Sequence, residues 1–131
     1  MKPLEGVRIL DLSRLLPGPY CTRLLGDMGA EVIKVEEPGR GDYIRSLPPY
    51  VNGVSVVFET LNRGKKSITL NLEARQAKEI LNRLVTRADV FLEGFRPGTT
   101  KKLGCDFLSL RKSNPRIVYC SLTGYGQTGP Y

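Results

Sequence analysis

Apolar residues along this chain follow two rhythms. Short dense runs, "VRILDLS" (Val7 to Ser13), "AEVIKVEEPG" (Ala30 to a stop at Pro38 and Gly39), "DVFLEGF" (Asp89 to Phe95) and "RIVYCSLTG" (Arg116 to Gly124), predict buried strands. "KSITLNL" adds a strand in which Ile68, Leu70 and Leu72 alternate. Between them lie helical spacings. In "EARQAKEILNRLVTRA", Ala77, Ile80, Leu81, Leu84, Val85 and Ala88 recur at three and four, the stripe of an amphipathic helix. "PYCTRLLGDMG" predicts a helix from Pro19, tolerated in a first turn, to a stop at Gly29, with Leu24, Leu25 and Met28 on the sheet-facing side. "GTTKKLG" and "FLSLRKSN" read as short helical pieces, and Gly39 to Val54 as a long loop. "VSVVFETLN" stays open between strand and helix, since a short apolar run does not separate the two.

Strands separated by helical crossovers imply an α/β fold: a Rossmann-like, doubly wound parallel sheet with helices on both faces. Such sheets bind ligands beyond the carboxyl ends of their strands. Four strand ends then converge, "SRLLPGP", "EEPGRG", "EGFRPG" and "TGYGQTGP", each rich in Gly or Pro that lets backbone approach a ligand closely. Taken singly, each is an ordinary turn.

Composition narrows the chemistry. The 131 residues, 40% hydrophobic and 25% charged, suit one globular domain with a real core. A secretory leader and a membrane-length apolar run are both missing, so the cytoplasm is expected, with no membrane partner. There is no histidine, which excludes imidazole triads, and the wide spacing of Cys21, Cys105 and Cys120 suits neither a disulfide framework nor zinc, so no metal is expected. Cys21 and Cys120 read as small buried hydrophobes. Asp11, Asp42 and Asp89 read as structural carboxylates at strand ends and turns.

The net charge of +7 asks for anionic partners. Its clusters, "NRGKK", "FRPGTTKK" and "RKSNPR", are not interleaved with aromatic stacking platforms, so nucleic acid is not the expected partner. Glu36 and Glu37 stand where a dinucleotide fold places its ribose-binding acid, but "LLPGPYCT" has one glycine between two prolines where three spaced glycines are needed.

The blocks "PLEGVRILDLSRLLPGPYCTRLLGDMGAEVIKVEEPGRGD", "LNRGKKSITLNL", "DVFLEGFRPG" and "RIVYCSLTGYGQTGP", in this order, resemble the N-terminal part of the family III CoA-transferases, the CaiB/BaiF group, which also contains α-methylacyl-CoA racemase and formyl-CoA transferase. The resemblance covers essentially the whole chain. It implies coenzyme A as the bound group, carried in as acyl-CoA beside a carboxylic acid substrate. By position it implies Leu15, Leu16 and Pro17 near the coenzyme, Leu70 and Leu72 flanking adenine or pantetheine, and Gly94 and Phe95 as the channel wall. Arg96 and Lys102 would face phosphates, and Thr123 and Gly124 the thioester end. One position departs from the family: many relatives carry Arg where this chain has Glu37, so either Arg40 or Arg63 substitutes or that contact is absent.

The same resemblance places the catalytic groups beyond residue 131. In the transferases an Asp carboxylate attacks the thioester, giving a mixed anhydride and then an aspartyl-CoA thioester. In the racemases a His and an Asp move the α-proton. No catalytic residue is therefore expected in this chain, which reads as residues 1–131 of a larger Rossmann-like CoA-binding domain, the rest of that domain and a small domain being absent. A fragment, a split subunit needing a partner chain and a truncated form all stay open, with a homodimer expected for the full-length protein and inactivity for this chain alone. "LPGPYCT" and "GYGQTGPY" lean toward a racemase or a broad acyl-CoA:carboxylate transferase over the oxalate-linked enzyme.

Overall fold

The computed structural model describes residues 1–130. In chain order it contains β1 (Arg8–Asp11), α1 (Pro17–Asp27), β2 (Glu31–Glu36), a 3-10 turn (Tyr43–Ser46), a hairpin of β3 (Tyr50–Val51) and β4 (Val54–Ser55), α2 (Val56–Asn62), β5 (Lys66–Thr69), α3 (Arg75–Val85), β6 (Val90–Glu93), α4 (Thr99–Leu103), α5 (Phe107–Ser113) and β7 (Val118–Ser121). Five strands form one wholly parallel sheet in the order β5-β2-β1-β6-β7.

The alternation of side chains along β1 sorts the two faces. Leu10 and Leu12, with Val35 and Phe91, pack beneath Leu81 and Val85 of α3 and Leu110 of α5, whereas Ile9 and Val32 pack against Leu25 of α1. Helices α1 and α2, which touch each other, carry the chain from β1 through β2 to β5. Helices α3, α4 and α5 carry it back over the opposite face to β6 and β7. The winding therefore reverses between the neighbouring strands β1 and β6, which is where an open parallel sheet leaves a crevice at its carboxyl edge.

The structure departs from the sequence reading in several places and resolves the one segment that reading left open. Helix α1 starts at Pro17, two residues earlier than expected, and packs a half-buried Leu25 on the sheet while leaving Leu24 and Met28 40% and 49% exposed. Leu16, Tyr20, Leu24 and Met28, four residues apart, form an outward row because Gly18 and Thr22 hold the inward side close to the sheet. "VSVVFETLN" is helix after its first two residues: Ser55 Oγ accepts the Phe58 N–H at 3.3 Å, and Glu59 lies in the first turn. The segment expected as loop contains a turn capped by Asp42, with Ile44 packed on Phe58 and Leu61. Within α3, Ala77, Leu81 and Val85 are buried but Ile80 is exposed. All three cysteines are free; Cys105 is buried, whereas Cys21 and Cys120 are only half-buried.

Candidate functional site

The loop from β1 into α1 is held by buried side chains. Asp11 Oδ1 accepts the Ser13 N–H at 3.0 Å and also the Ser13 hydroxyl. Its Oδ2 lies 3.1 Å from Lys65 Nζ, which donates in addition to the Pro19 carbonyl and Asn62 Oδ1, both at 2.9 Å. Burial lowers the pKa of Lys65, and Asp11 works against that shift. Lys34 Nζ donates to the Ser13 carbonyl at 2.9 Å and pairs with Asp42 Oδ2 at 2.8 Å. Asp42 Oδ1 then accepts the Leu15 N–H at 3.0 Å. Leu15 has φ of +63°, and Gly18 sits so close that an added Cβ would lie 2.1 Å from Ser13 Oγ. Pro17 and Pro19 leave Gly18 as the sole amide donor among the first three helical positions, so α1 begins as a poor main-chain cradle for anions.

The loop after β2 is fastened by Glu36. Burial acts against its charge, but hydrogen bonds from Arg45, Ser67 and the Asp42 N–H outweigh it and bring the pKa down to about 2. The Arg45 guanidinium binds both carboxylate oxygens at 2.7 Å, a charge-assisted fork.

Two clefts open at this rim. One, about 330 Å³, is lined by Leu12, Leu70, Leu72, Phe95 and Leu103 with Arg14 and Lys102, and also by Glu36, Glu37 and Glu73. The other, about 440 Å³, runs along Gly94 to Pro97 and Leu122 to Gly126. Phe95 lines both and forms the wall between them. Among the described residues, the Arg96 and Lys102 side chains have no hydrogen-bond or ion-pair partner. Apolar walls with uncommitted cations suit a ligand having a flat or aliphatic body and anionic groups.

The expected residues divide accordingly. Leu70, Leu72 and Lys102 line the first cleft, Gly94, Arg96, Thr123 and Gly124 the second, and Phe95 both. Leu15, Leu16 and Pro17 form an exposed loop tip and line neither. Arg63 is not brought to the rim: it pairs at 3.1 Å with Asp27, the last residue of α1, which runs back toward the other edge of the sheet. Arg40 lies over the Tyr43 ring, 4.3 Å from its centre. Arg14 is the group at Glu37, with Nη2 at 3.4 Å from Oε2 and Nη1 donating to the Tyr43 hydroxyl at 2.7 Å. The sequence reading passed over Arg14, although its place three residues past a buried strand end, inside a convergent loop, was the available signal.

Comparison with known proteins decides the assignment. The family model for CoA-transferase family III matches residues 4–131. The chain belongs to CoA-transferase family III. Among its relatives, succinyl-CoA:glutarate CoA-transferase of Mus musculus is 53% identical over 99% of this chain and 30% of its own length. Acetyl-CoA:oxalate CoA-transferase of Acetobacter aceti is 46% identical over 98% of this chain and 33% of its own length. A CaiB/BaiF family protein from Brucella suis superposes with a TM-score of 0.92 at 44% identity, over 99% of this chain and 35% of that one. This family III chain thus spans about a third of the length of the relatives it matches. A short-chain dehydrogenase/reductase family protein, at 14% identity and a TM-score of 0.52, shares the fold alone.

Proposed function

We propose that this chain supplies the coenzyme A-binding part of an enzyme that moves CoA from an acyl-CoA thioester to a carboxylic acid. The observation that carries the proposal is the pair of clefts on either side of Phe95, each with an uncommitted cation at its rim, Lys102 on one side and Arg96 on the other. Leu70 and Leu72 offer an apolar wall for adenine or pantetheine, and Lys102 and Arg96 offer charge to the pyrophosphate and 3′-phosphate. Thr123 and Gly124 lie along the cleft that the thioester end would enter. The relatives' names pair an acyl-CoA with a carboxylate, succinyl-CoA with glutarate and acetyl-CoA with oxalate, which supports transfer over racemisation.

In this reading residues 1–131 form the N-terminal portion of a larger Rossmann-like domain, and the nucleophilic carboxylate belongs to sequence outside them. The chain alone binds without turning over, and the whole protein is a homodimer. Calorimetric titration of CoA and 3′-dephospho-CoA into the chain tests the binding role. CoA is expected to bind, its dephospho form to bind more weakly, and Lys102→Ala to narrow the difference. Equal affinity for the two, or no binding of either, overturns it.

A further inference from the structure

We propose that Asp42, with Lys34 behind it, is a positioning residue that presets the β1–α1 loop, and with it Arg14 on the cleft wall, for the coenzyme, an inference resting on the reading of this rim as a CoA site. Lys34 and Asp42 are a fully buried ion pair, their side chains 1% and 0% exposed. Such a pair is a weak source of stability, because desolvating both charges offsets most of their attraction. What distinguishes this one is where its remaining contacts go. Lys34 Nζ holds the Ser13 carbonyl at 2.9 Å and Asp42 Oδ1 holds the Leu15 N–H at 3.0 Å, so the pair grips the loop on both sides of Arg14.

Both grips are needed by the local geometry. Leu15 stands at φ of +63°, a left-handed conformation that a leucine left to itself avoids because its Cβ crowds the backbone. The same two contacts frame Arg14, whose guanidinium lies 5.7 Å from the Phe95 ring centre and so spans the reversal of the sheet. Asp42 is itself fixed from behind. Its N–H donates to Glu36 Oε2 at 2.9 Å, and Glu36 Oε1 accepts the Ser67 hydroxyl at 2.6 Å, so a line of contacts runs from the edge strand β5 through β2 to the loop beyond β1.

Without the grip the loop relaxes into other shapes, and the apparent dissociation constant rises by the inverse of the fraction left competent. A competent fraction of about one tenth gives about a tenfold loss. The test is nuclear magnetic resonance on the 131-residue chain, small enough for residue-by-residue amide exchange, combined with calorimetric titration of CoA. In Asp42→Ala, which removes the acceptor, the Leu15 amide is expected to exchange at least about tenfold faster while the Leu10 and Phe91 amides keep their rates, and the CoA dissociation constant to rise about tenfold. Should that variant fail to fold, with Lys34 left buried and unpaired, Lys34→Met/Asp42→Ala removes both charges and both grips together and is expected to show the same pattern. Faster Leu15 exchange with unchanged CoA affinity overturns the positioning role, as does uniform acceleration of core amides or no change in either readout. A wild-type chain that fails to bind CoA overturns the functional reading itself, and this inference with it.

Discussion

Arg14 and Phe95 face each other across the reversal of the sheet, guanidinium carbon to ring centre 5.7 Å, although one follows β1 and the other follows β6. The contact joins the two loops that flank the crevice, and Tyr43 flanks the same guanidinium with its ring centre at 5.1 Å. Arg14→Ala is expected to weaken CoA binding about three- to tenfold, and the unfolding free energy to change by less than about 1 kcal/mol, the scale of one exposed cation–ring contact. Arg14→Lys does not restore affinity, because an ammonium lacks the planar fork that stacks and reaches Tyr43 and Glu37 together. Calorimetry and urea unfolding separate the two effects.

Gly18 is required by proximity. An added Cβ would lie 2.1 Å from Ser13 Oγ and 3.2 Å from a Leu92 methyl. Gly18→Ala therefore forces the β1–α1 loop off the sheet and is expected to cost about 2–3 kcal/mol of stability. Ser13→Gly in the same chain recovers part of that loss by emptying the contested space, and denaturant midpoints measure both.

Glu36 sets an acid limb of stability. Its folded pKa, about 2, lies below the 4.5 of an ordinary glutamate, so its contribution is fully present above about pH 4.5 and is lost as pH falls toward 2. Glu36→Gln is expected to lower stability at neutral pH and to flatten the decline between those values. Urea unfolding at a series of pH values from 2 to 6 gives the comparison.

Thiol chemistry follows burial. Cys105 is fully buried, and that burial pushes its pKa up to about 12, with Glu93 and Asp106 adding to the shift. Cys21 and Cys120 are half-buried. Iodoacetamide at pH 8 is expected to label Cys21 and Cys120 well before Cys105, as read by peptide mass spectrometry. Early labelling of Cys105 would show that the α5 side of the core opens.

The sheet was legible because four of its five strands lie in short dense apolar runs and the fifth, β5, lies in an alternating one. Helix α3 was legible for the same local reason. Helix α1 misled because it carries two apolar rows, and which row turns inward is settled by the approach of Gly18 to Ser13 and Leu92, a contact across space. The fastening of the rim was invisible for a related cause. Asp11 and Lys65 stand 54 positions apart, and nothing local in "GRGDY" tells that Asp42 reaches the Leu15 amide. Of the candidate site, Phe95, Leu70, Leu72 and Lys102 came from motif position, whereas Arg14 needed the folded chain to bring it opposite Phe95.

The two prolines at the start of α1 carry a longer consequence. Nucleotide folds that grip anions with main-chain amides keep that grip through almost any change of side chain, whereas here Pro17 and Pro19 withdraw two of three such donors. Under the proposed function, recognition of a charged ligand at this edge falls to exchangeable residues such as Lys102 and Arg96, each open to revision by a single codon. A scaffold of this kind keeps its architecture while its ligand preference drifts.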